Sequence, residues 1–416
     1  MVEKSLDKKL AEIHANPNTK TFIIADAKDA DMARGILSCG QYSPEYHHGE
    51  LNFRSIQEYR EMMREVTRQG LVDIMLMSAS SNEVLTIQER LFDNSHVTPA
   101  GRVNDTTDIH VIRGADYHSM ASRPFRTATI DHIQCGKYEC TPEERVLGAN
   151  LGLYSITFNN DLERDLETLL NFKEFRLEAE QKNFRYFLEV FDPNVPHAVN
   201  ADKIGQFVND NIVRALAGVT QRGYPLFLKI VYHGPRAMEE MAHYDSHLIV
   251  GVLGGSAGTT YDAFKLIAES QKYGAKVALF GRKINNAENQ LVFIKFLRMI
   301  VDGEISPEEA VRAYHGVIQG MGLKPFRPLE EDMQITEQSM SYAGGRSTVT
   351  VPAGIPAPRP APAPIYPTRP TSAAQQPVSP PSSRPRMLDE EEPDFSKMTL
   401  EEKLEYNQKR RDRIFG

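Results

Sequence analysis

The chain has 416 residues, of which 41% are hydrophobic, and a formal net charge of −8. That is enough apolar material for one large domain or two ordinary ones. The acidic balance argues against nucleic acid as the main partner, which favours a basic surface.

The first stretch, MVEKSLDKKLAEIHANPNTK, is charged throughout and has no apolar signal core. No apolar run in the chain is long enough to span a bilayer, so no membrane partner is expected. Three cysteines, Cys39, Cys135 and Cys140, are too few and too odd in number for a disulfide framework. They read as thiols in a reducing compartment, with a cytoplasmic protein as the expectation. Cys135 and Cys140 are also too far apart for a CxxC pair, and no second pair exists to complete a zinc site.

Strand-like apolar runs then recur between helical patterns. In chain order they are TFIIADA (21–27), VDIMLMS (72–78), FRTATIDH (125–132), LGLYSITF (151–158), RYFLEVF (185–191), PLFLKIVYH (225–233), HLIVGVLGG (247–255) and KVALFGR (276–282). Stretches such as 55–70 and 259–274 carry helical periodicity between them. Eight such runs alternating with helices over about 300 residues match a (β/α)8 barrel. An open doubly wound sheet is the alternative, since periodicity does not report closure. The segment 79–124 is long and polar for a connection and is a candidate cover for the barrel mouth.

In PLFLKIVYH, a lysine interrupts an apolar strand. In a barrel strand alternate residues face inward and the active site lies at the C-terminal ends. The parity that turns Lys229 inward also turns Phe227, Val231 and His233 inward, leaving Leu228 and Ile230 towards the helices. An amine among apolar walls loses its proton more readily, and the neutral form attacks carbonyl carbon to give a Schiff base. The plain alternatives are a structural lysine paired with a carboxylate, or a strand shorter than the run suggests. Asp26, closing the first run, and Glu189, inside the fifth, are the carboxylates expected to move protons for it. Either could equally be an ion-pair partner or a strand-end cap. Asp192, just before Pro193, reads as a turn residue.

The last two runs end in GVLGGSAGTT and ALFGRKI. Gly254 and Gly255 permit close approach of backbone N–H groups to an anion, with a helix N-terminus following. Arg282, next to Gly281, can grip a phosphate bidentately. A glycine-rich turn alone means only a tight connection; two on consecutive strands, one bearing arginine, read as a phosphate site. GVLGGSAG is not a GxGxxG fingerprint, so dinucleotide binding is not expected.

The stretch HLIVGVLGGSAGTTYDAFKLIAESQKYGAKVALFGRKINNAENQ, with Lys229 one strand earlier, resembles the DeoC/LacD class I aldolases. These include deoxyribose-phosphate, tagatose-1,6-bisphosphate and archaeal-type fructose-bisphosphate aldolases. The resemblance spans roughly residues 20–330 and is sharpest over 225–285. It implies a (β/α)8 barrel, a mechanism without metal or cofactor, and a phosphorylated sugar or aldehyde as substrate. By position, Lys229 resembles the Schiff-base lysine, Glu189 the fifth-strand acid/base and Asp26 the first-strand aspartate. Gly254, Gly255, Ser256, Gly281 and Arg282 fall where the family holds a substrate phosphate. The chain departs from deoxyribose-phosphate aldolase in having no lysine on the seventh strand, which favours the ketose-bisphosphate-like branch. Arg102, Arg113 or the nearby acids are candidates for the distal end of the substrate. The alternatives are a phosphosugar-binding barrel without lyase activity, and an acyl or aldol transferase using the same lysine.

Composition changes near residue 340. Twelve of the 25 prolines fall within 351–386, a segment that reads as an extended linker. The organisation expected is a barrel over 1–340, a Pro-rich and acidic linker over 341–394, and an amphipathic peptide over 395–416. In the peptide, Thr399 and Glu402 have capping-box spacing, and Leu400 and Leu404 begin a thin apolar stripe. The layout resembles peptides that carry enzymes into bacterial microcompartments, which implies a shell or enzyme partner for 395–416, with a disordered terminus as the alternative; a homo-oligomer is expected for the barrel.

Overall fold

A computed structural model describes residues 2–40, 53–110, 112–255, 258–336 and 399. The linker 341–394, all of the peptide 395–416 except Thr399, and Ser256 lie outside the described residues.

Eight parallel strands close a barrel. They are β1 (Ile23–Lys28), β2 (Ile74–Met77), β3 (Thr98–Arg102), β4 (Leu151–Thr157), β5 (Arg185–Phe191), β6 (Leu228–Ile230), β7 (Gly251–Leu253) and β8 (Val277–Phe280). Their order round the barrel is their order in the chain, and β8 pairs with β1. Alternation sorts their side chains into two layers. Ile23, Ala25 and Ala27 of β1 pack inside with Ile74, Leu76, Phe187, Phe227 and Leu279. Ile24, Met75, Leu188, Leu228 and Ala278 pack outside against the helices.

Helix α1 (Ser5–Ala15) adds Leu6, Leu10 and Ile13 to the inner cluster. Its Lys9 reaches Asp73 and the Phe22 carbonyl, which fixes α1 at the N-terminal end of the strands. That end is therefore plugged by apolar side chains, and the chemistry is left to the other. Local signals set the helix starts: Ser55 with Glu58 forms a capping box for α2 (Ile56–Gln69), and Gly70 ends it in the left-handed region at φ +70.

The third strand is not where the sequence reading put it. Residues 125–132 enter helix α3 (Ile130–Cys135), capped by the Thr129 side chain and ended by Gly136. Ile130 and Ile133, three apart, give that helix its buried face. The strand is TPAGR, residues 98–102, and Pro99 and Gly101 make it a poor strand by propensity. Packing explains the glycine: a Cβ at Gly101 would lie 2.8 Å from Ile133 Cγ2, so α3 sits directly on the strand.

A second correction concerns the cysteines. Cys135 and Cys140 form a disulfide, while Cys39 is a buried free thiol. The left-handed Gly136 reverses the chain after α3 and brings the two Cα atoms to 6.1 Å, within bridging range. Three thiols therefore cannot serve as an argument for a reducing compartment.

Residues 103–110 and 112–125 cross the barrel mouth. Asp105–Thr106 pairs antiparallel with Pro124–Phe125, and Ile109 between them packs on Phe191, Val231 and Leu253. The cover is thus the second half of the long polar segment 79–124, whose first half supplies β3 and a short helix, Ala79–Asn82. Among the described residues, no helix is long and apolar enough to cross a membrane.

Candidate active site

The inward-facing positions of β4, β5 and β6 are apolar at the plugged end and turn polar midway, before Phe191 and Val231 meet Ile109 of the cover. Leu151 and Leu153 give way to Ser155, Phe187 to Glu189, and Phe227 to Lys229. Ladder register sets Ser155 beside Glu189 and Glu189 beside Lys229. All three side chains are buried, and Lys229 Nζ lies 2.5 Å from Glu189 Oε1. Ser155 Oγ donates to Glu189 Oε2 at 2.7 Å. Two predicted residues thus meet on adjacent strands.

Above them opens a cleft lined by Lys229, Glu189, Asp29, Arg102, Arg34 and Arg282, with Gly281, Ala27 and Ile109 also at its wall. Arg102, inward from the end of β3, donates to Asp29 Oδ2 at 2.6 Å and to Asp105 Oδ1 at 3.2 Å. It is almost fully buried, and burial works against its charge. Asp105 and Asp29 outweigh that cost and hold the guanidinium above its usual pKa. Asp105 pays little of this back: its own burial dominates and pushes its carboxyl up to about 6, against the pull of Arg102. A candidate for substrate recognition is therefore already committed to two carboxylates.

Asp26 does not reach this cleft. Its neighbours Ala25 and Ala27 face inward, so alternation turns Asp26 outward with Ile24. There it accepts from Lys28 Nζ at 3.1 and 2.8 Å, and both residues are fully buried. Burial pushes Asp26 up and Lys28 down, each opposed by the other's charge. The carboxylate that the first strand does bring to the cleft is Asp29, just beyond its end.

The expected phosphate residues divide. Gly281 and Arg282 line the cleft, and Gly281 is required there because a Cβ would lie 2.7 Å from the Ala27 carbonyl. Gly254 and Gly255 are not among the described residues lining it. The Gly254 N–H is spent on the Leu279 carbonyl, and a Cβ there would strike the Phe280 ring at 2.2 Å. Gly254 is thus a packing glycine, and Gly255 provides a turn at φ +50. Helix α4 (Thr260–Lys272), which follows, has its N-terminus occupied: Asp332 Oδ1 accepts from the Thr260 N–H. The helix dipole there already serves a carboxylate of this chain.

Asp192, read as a turn residue, accepts from His233 Nε2 at 2.7 Å. A Cβ on Gly205 would lie 3.0 Å from His233 Cβ, so the imidazole packs against the helix containing Gly205, Ile204–Leu216. Sequence reading missed Asp29, Arg34 and Ser155. Alternation carried through LGLYSITF flags Ser155 as inward; Asp29 and Arg34 lie in irregular chain after β1, where no periodicity applies.

The fold matches the crystal structure of an archaeal fructose 1,6-bisphosphate aldolase, at 15% identity over 71% of this chain and 99% of that chain, with a TM-score of 0.50. It also matches a structure of the Schiff base forming fructose-1,6-bisphosphate aldolase, solved for analysis of reaction intermediates. There the identity is 14% over 70% of this chain and 99% of that chain, with a TM-score of 0.50. At these identities the likeness is one of fold. No family model and no curated protein matches the chain.

Proposed function

We propose that this chain is a Schiff-base aldolase that makes or breaks a C–C bond in a phosphorylated sugar. The observation that carries the reading is the buried Lys229–Glu189 pair, facing inward at the open end of the barrel with Arg282 on the same cleft. A fold shared with archaeal and Schiff base forming fructose-1,6-bisphosphate aldolases supports it.

In this reading, Glu189 takes a proton from Lys229 and the neutral amine adds to the substrate carbonyl. The carbonyl oxygen takes that proton from Glu189; Glu189 then removes a proton from the carbinolamine nitrogen and passes it to the hydroxyl, which leaves as water as the nitrogen lone pair forms the iminium. A base removes the proton from the hydroxyl on the far carbon of the bond to be cut. That oxygen becomes a carbonyl as the C–C bond breaks, and the bonding pair moves into the iminium to give an enamine. Protonation of the enamine carbon and addition of water release the second product and return the amine. The iminium supplies the electron sink, so the route uses no metal ion. Arg282 is suited to a phosphate because a guanidinium makes two parallel charge-assisted bonds.

Borohydride with dihydroxyacetone phosphate, followed by mass spectrometry, tests the reading. A reduced adduct on Lys229, formed equally well with EDTA, is expected. No adduct, or activity that EDTA removes and a divalent metal restores, would leave a phosphosugar-binding barrel or a different chemistry.

A further inference from the structure

We propose that Ser155 is a positioning residue that decides which oxygen of Glu189 exchanges protons with Lys229 and its adducts. The proposal rests on the Schiff-base reading above. It follows from the directions in which three adjacent groups can donate. Arg102 Nη2 lies 3.3 Å from Ser155 Oγ. A guanidinium has donors and no acceptor, so in this contact the serine oxygen accepts. The single hydroxyl proton is then free to go to Glu189 Oε2, 2.7 Å away. One carboxylate oxygen is thereby occupied, and the other, Oε1, is the one beside Lys229 Nζ at 2.5 Å.

Ser155 is itself held on both sides. Its N–H donates to Asn104 Oδ1 at 2.6 Å, and its carbonyl accepts from Asn104 Nδ2 at 2.7 Å. The Asn104 amide thus extends the ladder beyond the end of β3. Arg102 is fixed in turn by Asp29, by Asp105 and by the Asn104 carbonyl at 2.9 Å. Every group in this chain is buried, so the hydroxyl has little freedom to turn elsewhere. The charged groups about Glu189 are Lys229 on β6 and Arg102 on β3, with Asp29 and Asp105 behind Arg102 and Arg34 and Arg282 across the cleft.

A hydroxyl donating to a carboxylate stabilises its charged form and leaves the proton-carrying duty to the opposite oxygen. Removing it should therefore slow proton transfer while leaving substrate anchoring alone. The experiment follows borohydride trapping of dihydroxyacetone phosphate on the full chain, as a rate between pH 5 and 9, for wild type, Ser155→Ala and Ser155→Thr. Ser155→Ala should trap about 10-fold more slowly at neutral pH, the scale of one lost bond to a charged group. Its acid limb should move about one unit to higher pH, with the concentration dependence on dihydroxyacetone phosphate unchanged. Ser155→Thr, which keeps the hydroxyl, should restore rate and profile. Melting curves check that both variants fold. An Ala profile equal to wild type overturns the assignment, as does a folded Thr variant that behaves like Ala. Absence of an adduct in wild type overturns the aldolase reading and this assignment together, whereas normal wild-type trapping with an unmoved Ala profile overturns the assignment alone.

Discussion

Lys28 and Lys229 are both buried against a carboxylate, Asp26 at 2.8 Å and Glu189 at 2.5 Å, and both lie on a barrel strand. Residue types, distances and burial are nearly the same. What differs is the face. Asp26 and Lys28 are two apart on β1 and share its outer surface, closed over by the helix layer. Glu189 and Lys229 lie on adjacent strands and share the inner surface, beneath a cleft. A buried ion pair is therefore no mark of chemistry by itself; access from a cavity supplies the distinction, and a single step of strand parity decides access.

The strongest way to break this comparison is to remove each lysine. Lys229→Met should abolish borohydride trapping with dihydroxyacetone phosphate. Lys28→Met should trap at the wild-type rate but lose about 3–5 kcal/mol of stability, because Asp26 would be left buried and unpaired. Denaturant unfolding alongside the trapping assay reads both. Loss of trapping in a folded Lys28→Met would move the chemistry to the outer pair.

The carboxylates come next. Glu189→Gln should slow adduct formation about 100- to 10,000-fold, the range of a lost general acid–base group. Asp26→Asn should leave the rate within about two-fold. A Glu189→Gln protein that only binds the substrate more weakly, with an unchanged limiting rate, would remove its acid/base role.

Asp105 extends the comparison to a carboxylate that pairs with Arg102 yet still has its pKa raised, to about 6 from 3.8. A raised folded-state value means the folded chain holds the proton more tightly than the unfolded one. Its contribution to stability is then fully present below pH 3.8 and is lost as pH rises through about 6. From pH 4 to 7 the wild type should lose about 2 kcal/mol relative to Asp105→Asn, whose side chain does not titrate. Parallel stability curves for the two proteins across that range would show that the carboxyl titrates normally.

Much of this arrangement is legible in the sequence, and the rest fails for identifiable reasons. Seven of the eight expected strand runs overlap barrel strands, because apolar runs bounded by helices survive any packing detail. TPAGR was hidden since Pro99 and Gly101 fit the strand only through its neighbours, Ile133 above all. Lys229 and Glu189 were found because an interior charge interrupts an apolar pattern. Asp26 interrupts one too, but FIIADA has small or apolar residues on both faces, so parity there was fixed by closure against β8 and β2. Asp29 and Arg102 meet at the strand ends only once the chain has folded, 73 positions apart. The Cys135–Cys140 bridge depends on a turn at Gly136 that residue spacing does not reveal.

The smallest expected effect gives the sharpest version of the comparison. Replacing both members of a buried pair by apolar residues removes the desolvation penalty with the attraction, and such exchanges are often neutral or stabilising. Lys28→Met with Asp26→Leu should therefore change stability by less than about 1 kcal/mol, since both side chains are fully buried and the replacements are of similar volume. Trapping should stay at the wild-type rate. Lys229→Met with Glu189→Leu should also fold, although Ser155 and Arg102 would face an apolar group, but it should trap nothing. Unfolding curves and trapping for the two double variants separate a structural pair from a reactive one without leaving a charge stranded in either. A large loss of stability in the outer double variant would mean that Asp26 and Lys28 hold β1 by more than their mutual attraction, through the hydrogen bonding of the layer behind the strand. A small loss, with trapping intact, leaves the inner face of the barrel as the sole seat of the lysine chemistry.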